Sequence, residues 1–467
     1  MDKTFPSPEQ AIADIPDGAT IAIAGFGVMH RFATSLIIAL RDKGTRNLTI
    51  VCNSLGESGE ARGQILAENR QVRKLIAAFS MRPGTRTASE DQIISGEMSV
   101  ELVPQGILVE RCRAGGAGIP AFYSPTSVGT GIAEGKEIRL FGGKPHVLEH
   151  AIHVDYAFLN GYRADRLGNV QFRGGSQNFN PSFAKAARVA IVEVDEIVEP
   201  GTIPPELVDL PGIFVSRVVK TTQAFKSQAL LRPERRPSDK PRLYNGKPGL
   251  TRTGIARRAA GLVKDGAYVN LGVGIPTMVS NYLQNRDVIL HAENGVLGYG
   301  AMVMNNDEID PDIYNAAGQF VSLRPGASFF DSVTSFEMAR GGWLDTVILG
   351  AYEVDQHASV ANWSTSDTRR GGIGGAMDLL SGGAELIIVM EHTDSKGRPK
   401  LRRQCTYPLT GSRCVTYVVT DLALLHWQDG RFVLKEVAHG FSADEVIALT
   451  EMEISPAADI RQMDRSL

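Results

Sequence analysis

Cysteine is scarce in this sequence: Cys52, Cys112, Cys405 and Cys414 are the four in 467 residues. None belongs to a C-x-x-C pair or has zinc-ligand spacing to a histidine, so neither a disulfide framework nor a metal site is expected. Cysteines this sparse fit a reducing compartment, where they act as small buried apolar residues. No apolar stretch reaches the roughly 20 residues that a bilayer-spanning helix needs. The opening Met1-Asp2-Lys3-Thr4-Phe5-Pro6 lacks the basic flank and apolar run of a secretion signal. Charge of one sign is not in excess either, with a formal net charge of −3 and the signs interspersed. That argues against a nucleic-acid partner held by counterion release and against a polybasic membrane face. The expectation is a cytoplasmic protein. With 43% hydrophobic and 22% charged residues, the chain has a globular composition and enough length for two or three cores.

Strand-like and helix-like stretches alternate. Pro8 to Ile15 reads as a short helix. Thr20 to Ala24 reads as a buried strand, followed by the glycine turn Gly25-Phe26-Gly27 and a helix through Ser35 to Leu40. Leu48 to Cys52 and Val72 to Phe79 are further strands, and Gly115-Gly116-Ala117-Gly118-Ile119-Pro120 reads as a second glycine-rich turn. The pattern predicts an α/β fold with largely parallel sheets. Residues 232–249, rich in proline and charge and without periodicity, read as a linker.

Beyond the linker the pattern restarts. Asp17-Gly18-Ala19-Thr20-Ile21-Ala22-Ile23 is echoed by Asp265-Gly266-Ala267-Tyr268-Val269-Asn270-Leu271, and Val154 to Asp165 by Leu344 to Asp355. Val189-Ala190-Ile191-Val192-Glu193 is echoed by the stretch from Leu386 to Glu391. Three echoes in one order predict two tandem, related open α/β domains, 1–231 and 250–467, with a site in the crevice between them at the carboxyl ends of strands. Glu293 stands at such a place, between the strand-like Asp287-Val288-Ile289-Leu290 and the turn Asn294-Gly295. Gly295, Gly298 and Gly300 leave room there for a ligand or another backbone.

The stretch Leu290-His291-Ala292-Glu293-Asn294-Gly295-Val296-Leu297-Gly298 resembles the Ser-Glu-Asn-Gly signature of family I coenzyme A transferases, and Asp17 to Gly27 resembles their amino-terminal signature. The likeness continues through Pro104-Gln105-Gly106, Leu323 to Phe330 and Gly374-Gly375-Ala376-Met377-Asp378-Leu379. The order, an α-like half fused ahead of a β-like half, is similar to that of succinyl-CoA:3-oxoacid CoA-transferases. The resemblance implies that Glu293 is a nucleophile forming an acyl anhydride and then a glutamyl-CoA thioester, with ping-pong kinetics. It implies oxyanion donors at the Gln105 amide and the Gly375 N–H. It also implies a CoA and substrate pocket lined by Asn270, Gly272, Gly274, Gly25 and Gly27. No tightly bound cofactor is implied. CoA thioesters and small carboxylic acids are the substrates, and a homodimer or higher homo-oligomer is expected.

The family pattern is broken at five residues. Ala292 replaces the signature serine, Ala24 replaces a glycine, and Gln319 stands where close relatives carry lysine. His30 and Arg31 replace a Gly-x-Pro turn, and read either as extra donors for the acid substrate or as an exposed helix start. An acyl-CoA hydrolase on the same scaffold and a non-catalytic CoA sensor are the rival readings. A nicotinamide dehydrogenase fails, because His30 and Thr277 occupy the third-glycine positions of the two G-x-G turns.

Overall fold

The computed structural model describes residues 2–27, 31–81, 86–224, 239–303, 309–365 and 370–464. His30 and the 232–238 part of the expected linker lie outside these. The first lobe is built on strands β1 (Thr20–Ile23), β2 (Leu48–Cys52), β3 (Val72–Ala77), β4 (Ser99–Leu102), β5 (Val154–Asp165), β6 (Ala187–Val198) and β7 (Arg217–Lys220). They lie in the order β7-β6-β5-β1-β2-β3-β4, every neighbouring pair parallel. Helix α1 (Thr34–Lys43) follows β1, and α2 (Gln105–Gly116) follows β4.

The second lobe contains β8 (Ala267–Leu271), β9 (Val288–Ala292), β10 (Val296–Met302), β11 (Val321–Phe329), β12 (Thr346–Gly350), β13 (Glu385–Met390), β14 (Tyr417–Thr420), β15 (Ala423–Gln428), β16 (Arg431–Val437) and β17 (Ile454–Gln462). Their order is β11-β10-β9-β8-β12-β13-β14-β15-β16-β17. The centre, β9-β8-β12-β13-β14, is parallel. Antiparallel hairpins extend it on both sides. Helices α3 (Ser332–Arg340) and α4 (Ala376–Ser381) belong to this lobe.

The duplication is visible in the register. Ile21 pairs with Tyr156 in the first lobe, and the echoed residues Val269 and Thr346 pair in the second. Asp155 caps the Thr20 N–H at 2.9 Å, and Asp345 caps the Tyr268 N–H at 2.8 Å. The third echo falls on equivalent strands, β6 and β13, but slipped. Glu193 is level with Asn160, and the rung equivalent to it holds Val389 rather than Glu391. A two-residue slip leaves the same side chains facing inward, so the hydrophobic pattern does not detect it.

One local expectation is corrected, and another, open between a ligand and a neighbouring backbone, resolves to the backbone. Of the expected turn over 115–120, Gly115 and Gly116 instead end α2, and the chain turns at Ala117 and Gly118. A Cβ on Gly115 would lie 2.2 Å from the Ile152 carbonyl oxygen, and one on Gly116 2.5 Å from Lys185 Cβ, so helix and neighbours pack only over glycine. Gly298 and Gly300 make room for the neighbouring strand, against Ala327 and Ser322, rather than for a ligand.

The lobes meet over both apolar and polar contacts. Phe336 and Val333 of α3 join the first-lobe core beside Ile107 and Leu108 of α2, and each fully buried side chain of this kind contributes about 1.5–3 kcal/mol. Main-chain bonds cross the joint: Ser80 N–H to Gly371 O (3.0 Å), Ile373 N–H to Ala78 O (2.9 Å) and Gln105 N–H to Gly374 O (2.9 Å). Arg31 is neither exposed nor free for substrate. It is buried, with positive φ, and donates to both oxygens of Asp312 in the second lobe, at 2.9 and 3.0 Å, and to Asp195 in the first. Arg173 also reaches Asp312, at 2.8 Å. Removing one partner of a buried ion pair strands the other charge. Asp312→Ala, with Asp195 still facing Arg31, is expected to lose about 3 kcal/mol of stability, read as a lower denaturant midpoint.

Candidate active site

β9 ends at Ala292, and Glu293 takes the first place in the turn that follows. Gly295 makes the turn possible: its φ is 108°, and its Cβ would stand 2.1 Å from the Phe330 carbonyl oxygen. The Asn294 amide anchors the turn by donating to the Tyr314 carbonyl at 2.8 Å. Glu293 therefore points into a cleft of about 610 Å3 whose wall comes from both lobes. The first lobe contributes Phe26, Gly27, Asn53, Phe79 and Gln105; the second contributes Glu293, Gly272, Gly274 and Gly375.

Gln105 opens α2. Its side-chain Nε2 donates to Asn53 Oδ1 at 2.8 Å, which leaves the second N–H of that amide unused, and Oε1 is buried without a partner. Gly375 is the residue before α4, with φ −94°, so no left-handed backbone demands glycine there. Space does: a Cβ would stand 2.7 Å from Phe336 Cε1 and 3.1 Å from Gln105 Oε1. No described acceptor takes the Gly375 N–H. The two donor segments thus sit side by side.

Asn270 and Gly25 do not reach the wall. Asn270 is fully buried on β8 and donates to His291 Nδ1 at 3.0 Å. The His291 proton is accordingly assigned to Nε2, which donates to Ser335 Oγ at 3.1 Å. Burial pushes this imidazole down to about 4, so it is neutral. Gly25 faces Phe32, 2.2 Å from where its Cβ would be.

Glu293 is half-buried, and no described residue gives it a hydrogen bond or ion pair. Desolvation at the cleft floor, with the charge of Asp378 second, raises its carboxyl to about 7. Asp378 is itself fully buried and raised to about 6, burial outweighing the help of Arg340, the Gly106 N–H and Thr126. Lys400, Arg252 and Glu391 also line the cleft, and burial lowers the Lys400 ammonium to about 8. Sequence reasoning passed over Asn53, Asp378, Arg252 and Lys400. Asn53 was marked only by its place after a predicted strand, and Asp378 by membership of the Gly374 to Leu379 motif.

A half-buried carboxyl on a cleft between two duplicated α/β lobes, with an amide group from each lobe on the same wall, is an arrangement suited to acyl transfer. The chain belongs to the coenzyme A transferase family, whose model matches residues 5–221 and 252–449. It is a CoA transferase, an enzyme that works on CoA thioesters and carboxylic acids. It is 38% identical over 483 residues to the succinyl-CoA:3-ketoacid coenzyme A transferase 2A, mitochondrial, of Mus musculus, covering 99% of this chain and 91% of that one. It is 39% identical to the human enzyme 2, mitochondrial, covering 99% and 92%. In Bacillus subtilis one subunit of a probable succinyl-CoA:3-ketoacid coenzyme A transferase matches 47% of the chain at 46% identity, over 90% of its own length, which is the relation expected of fused halves. The acyl-CoA transferase YdiF of Escherichia coli O157:H7, as apoenzyme, shares the fold, with a TM-score of 0.80 at 22% identity, covering 99% and 95%.

The cytoplasmic expectation is overturned, since relatives that match the whole chain are named mitochondrial. Sparse cysteine reports a reducing milieu and does not distinguish one such compartment from another.

A raised carboxyl means that the folded state holds the proton more tightly than the unfolded chain, so ionisation destabilises the fold as pH rises from about 4.5 to about 7. Glu293→Gln removes that penalty. Allowing for partial exposure, the variant is expected to gain about 1–3 kcal/mol relative to the parent between pH 5 and pH 8, measured as diverging melting temperatures.

Proposed function

We propose that Glu293 carries CoA between two acids, and that the donor is succinyl-CoA and the acceptor a 3-oxoacid such as acetoacetate. The Glu293 carboxylate attacks the acyl carbon of the thioester, the C–S bond breaks, and CoA thiolate leaves behind an acyl-glutamyl anhydride. The thiolate then attacks the glutamyl carbonyl, releasing the first acid as its carboxylate and leaving a glutamyl-CoA thioester. The second carboxylate attacks that thioester and expels the thiolate again. The thiolate takes the new acyl group, which frees Glu293. An anhydride keeps the activation of a thioester, which a serine ester would dissipate.

The observation that carries this reading is the unpartnered Glu293 carboxyl in a cleft closed by two lobes. The spare Gln105 N–H and the Gly375 N–H supply fixed donors for an oxyanion, one from each lobe. Gly274 and Gly27 leave room for the pantetheine arm, Gly272 on the same wall lets the chain pack against Leu349, and Asn270 serves indirectly by bracing His291. Arg252 and Lys400 on the same wall suit the phosphates of CoA. The choice of donor and acceptor rests on relatives named for succinyl-CoA and 3-ketoacids. We place the domain division at 1–231 and 250–467, around the gap in the family match.

With acyl-CoA alone, the enzyme should acquire a CoA-sized adduct at Glu293 that borohydride reduces and acceptor acid removes. Glu293→Ala should show neither adduct nor turnover, and full transferase activity in that variant would end the proposal. CoA release that needs no acceptor acid would make the enzyme a hydrolase. Because the attacking form is the anion, kcat/KM should fall below a pH of about 7, the value to which burial raises this carboxyl.

A further inference from the structure

We propose that Asp378 is a positioning residue that holds the two oxyanion donors, one on each lobe, in register with each other. This rests on the assignment of Gln105 and Gly375 as those donors. Asp378 lies one turn into α4, and Gly375 immediately precedes that helix. Its Oδ2 accepts the Gly106 N–H at 2.9 Å, and Gly106 follows Gln105 in the first turn of α2. The Gln105 N–H in turn donates to the Gly374 carbonyl at 2.9 Å. Two bonds therefore fasten residues 105–106 to the segment 374–378, one on each side of the donor pair.

The carboxylate is itself fixed. Thr126 Oγ1 of the first lobe donates to Oδ1 at 3.2 Å, and Arg340 Nη1 of α3 donates to the same oxygen at 3.3 Å. Arg340 Nη2 continues to Glu110 of α2 at 3.1 Å, and Glu110 also holds Arg113. Any Cβ on Gly106 would stand 2.4 Å from Asp378 Oδ1 and 2.7 Å from Arg340 Nη1. A buried ion pair is a weak stabiliser compared with apolar packing. A charge buried at this joint therefore suits a role in fixing geometry: donors that drift by about 1 Å from the oxyanion lose much of their effect.

The groups facing Asp378 are Arg340 from α3, the Gly106 N–H and, through Arg340, Glu110 from α2, the Thr126 hydroxyl and, by charge alone, Glu293. Neutralising Asp378 also removes a repulsive charge near Glu293, so the acid limb of the rate profile should move to lower pH.

The test is a double-mutant cycle. Asp378→Asn is expected to lower kcat about 10- to 100-fold with KM within about twofold, and to move the acid limb to lower pH. In a Gln105→Ala background the same substitution should cost less than about threefold, because the donor it positions is gone. Should Asp378→Asn fail to fold, Thr126→Val, which deletes one hydrogen bond, should give about a threefold loss in kcat that vanishes in the Gln105→Ala background. Equal losses in both backgrounds, with Gln105→Ala itself strongly impaired, would overturn the positioning role and leave the donor assignment standing. A Gln105→Ala enzyme with parental kcat would sink the donor assignment and this inference with it.

Discussion

The active cleft exists because one strip of main chain, residues 371–375, is laid against the other lobe. Its bonds to Ser80, Ala78 and Gln105 are backbone to backbone, so they fix distance as well as contact. The glycines there are spatial necessities. A Cβ on Gly372 would stand 2.4 Å from Phe79 Cδ1, and Gly374 adopts a φ of 58°. Side chains at these places would wedge the lobes apart and withdraw the Gly375 N–H from Gln105. The bonds that hold the lobes together are thus also those that assemble the site.

The duplication makes the division of labour between the lobes readable. Ile21 pairs with Ile50 as Val269 pairs with Leu290, so Asn53, just past β2, is the counterpart of Glu293, just past β9. Both residues line the same cleft. Two carboxylates facing a poorly solvated space would each raise the other's pKa and one would remain protonated. A carboxamide at the first-lobe position avoids this and instead accepts from Gln105, turning that amide toward the crevice. The ancestral geometry is symmetric; the chemistry is not.

The strands and the duplication were legible because β1, β6 and their echoes β8 and β13 are short apolar runs bounded by turn residues, a signal that survives a two-residue slip. That same tolerance hid the slip of Glu193 against Glu391, and no period-two pattern registers it. Gly115 and Gly116 misled because glycine punctuates turns more often than it lets a helix pack tightly, and only the neighbours Ile152 and Lys185 distinguish the two. Glu293 stood out by its place at a strand end. Asp378 did not, and Arg31 stood out only as a substrate donor or a helix start, because what each holds lies in the other half of the chain. Asp378 takes the Gly106 N–H, and Arg31 takes Asp312. Long-range polar partners leave no periodicity in a sequence.

The environment of Glu293 answers opposing demands. Burial raises its carboxyl to about 7, which makes the anion a better nucleophile but halves its population near neutrality. A cation at hydrogen-bond distance would restore the anion while blunting its attack, and no described cation lies there. The neighbouring imidazole of His291 is held neutral by its own burial, stacked on Phe330 with centroids 6.1 Å apart. It therefore props the strand without quenching the charge at its end. Among the described lining residues, positive charge stands at Arg252 and Lys400, and there Glu391 balances it through Arg252. In the proposed mechanism the carboxylate is left underpaired in the free enzyme, and the Gln105 and Gly375 N–H groups serve the oxygen that its attack creates. That arrangement stabilises the transition state without equally stabilising the resting nucleophile, which is the condition for rate acceleration rather than mere binding.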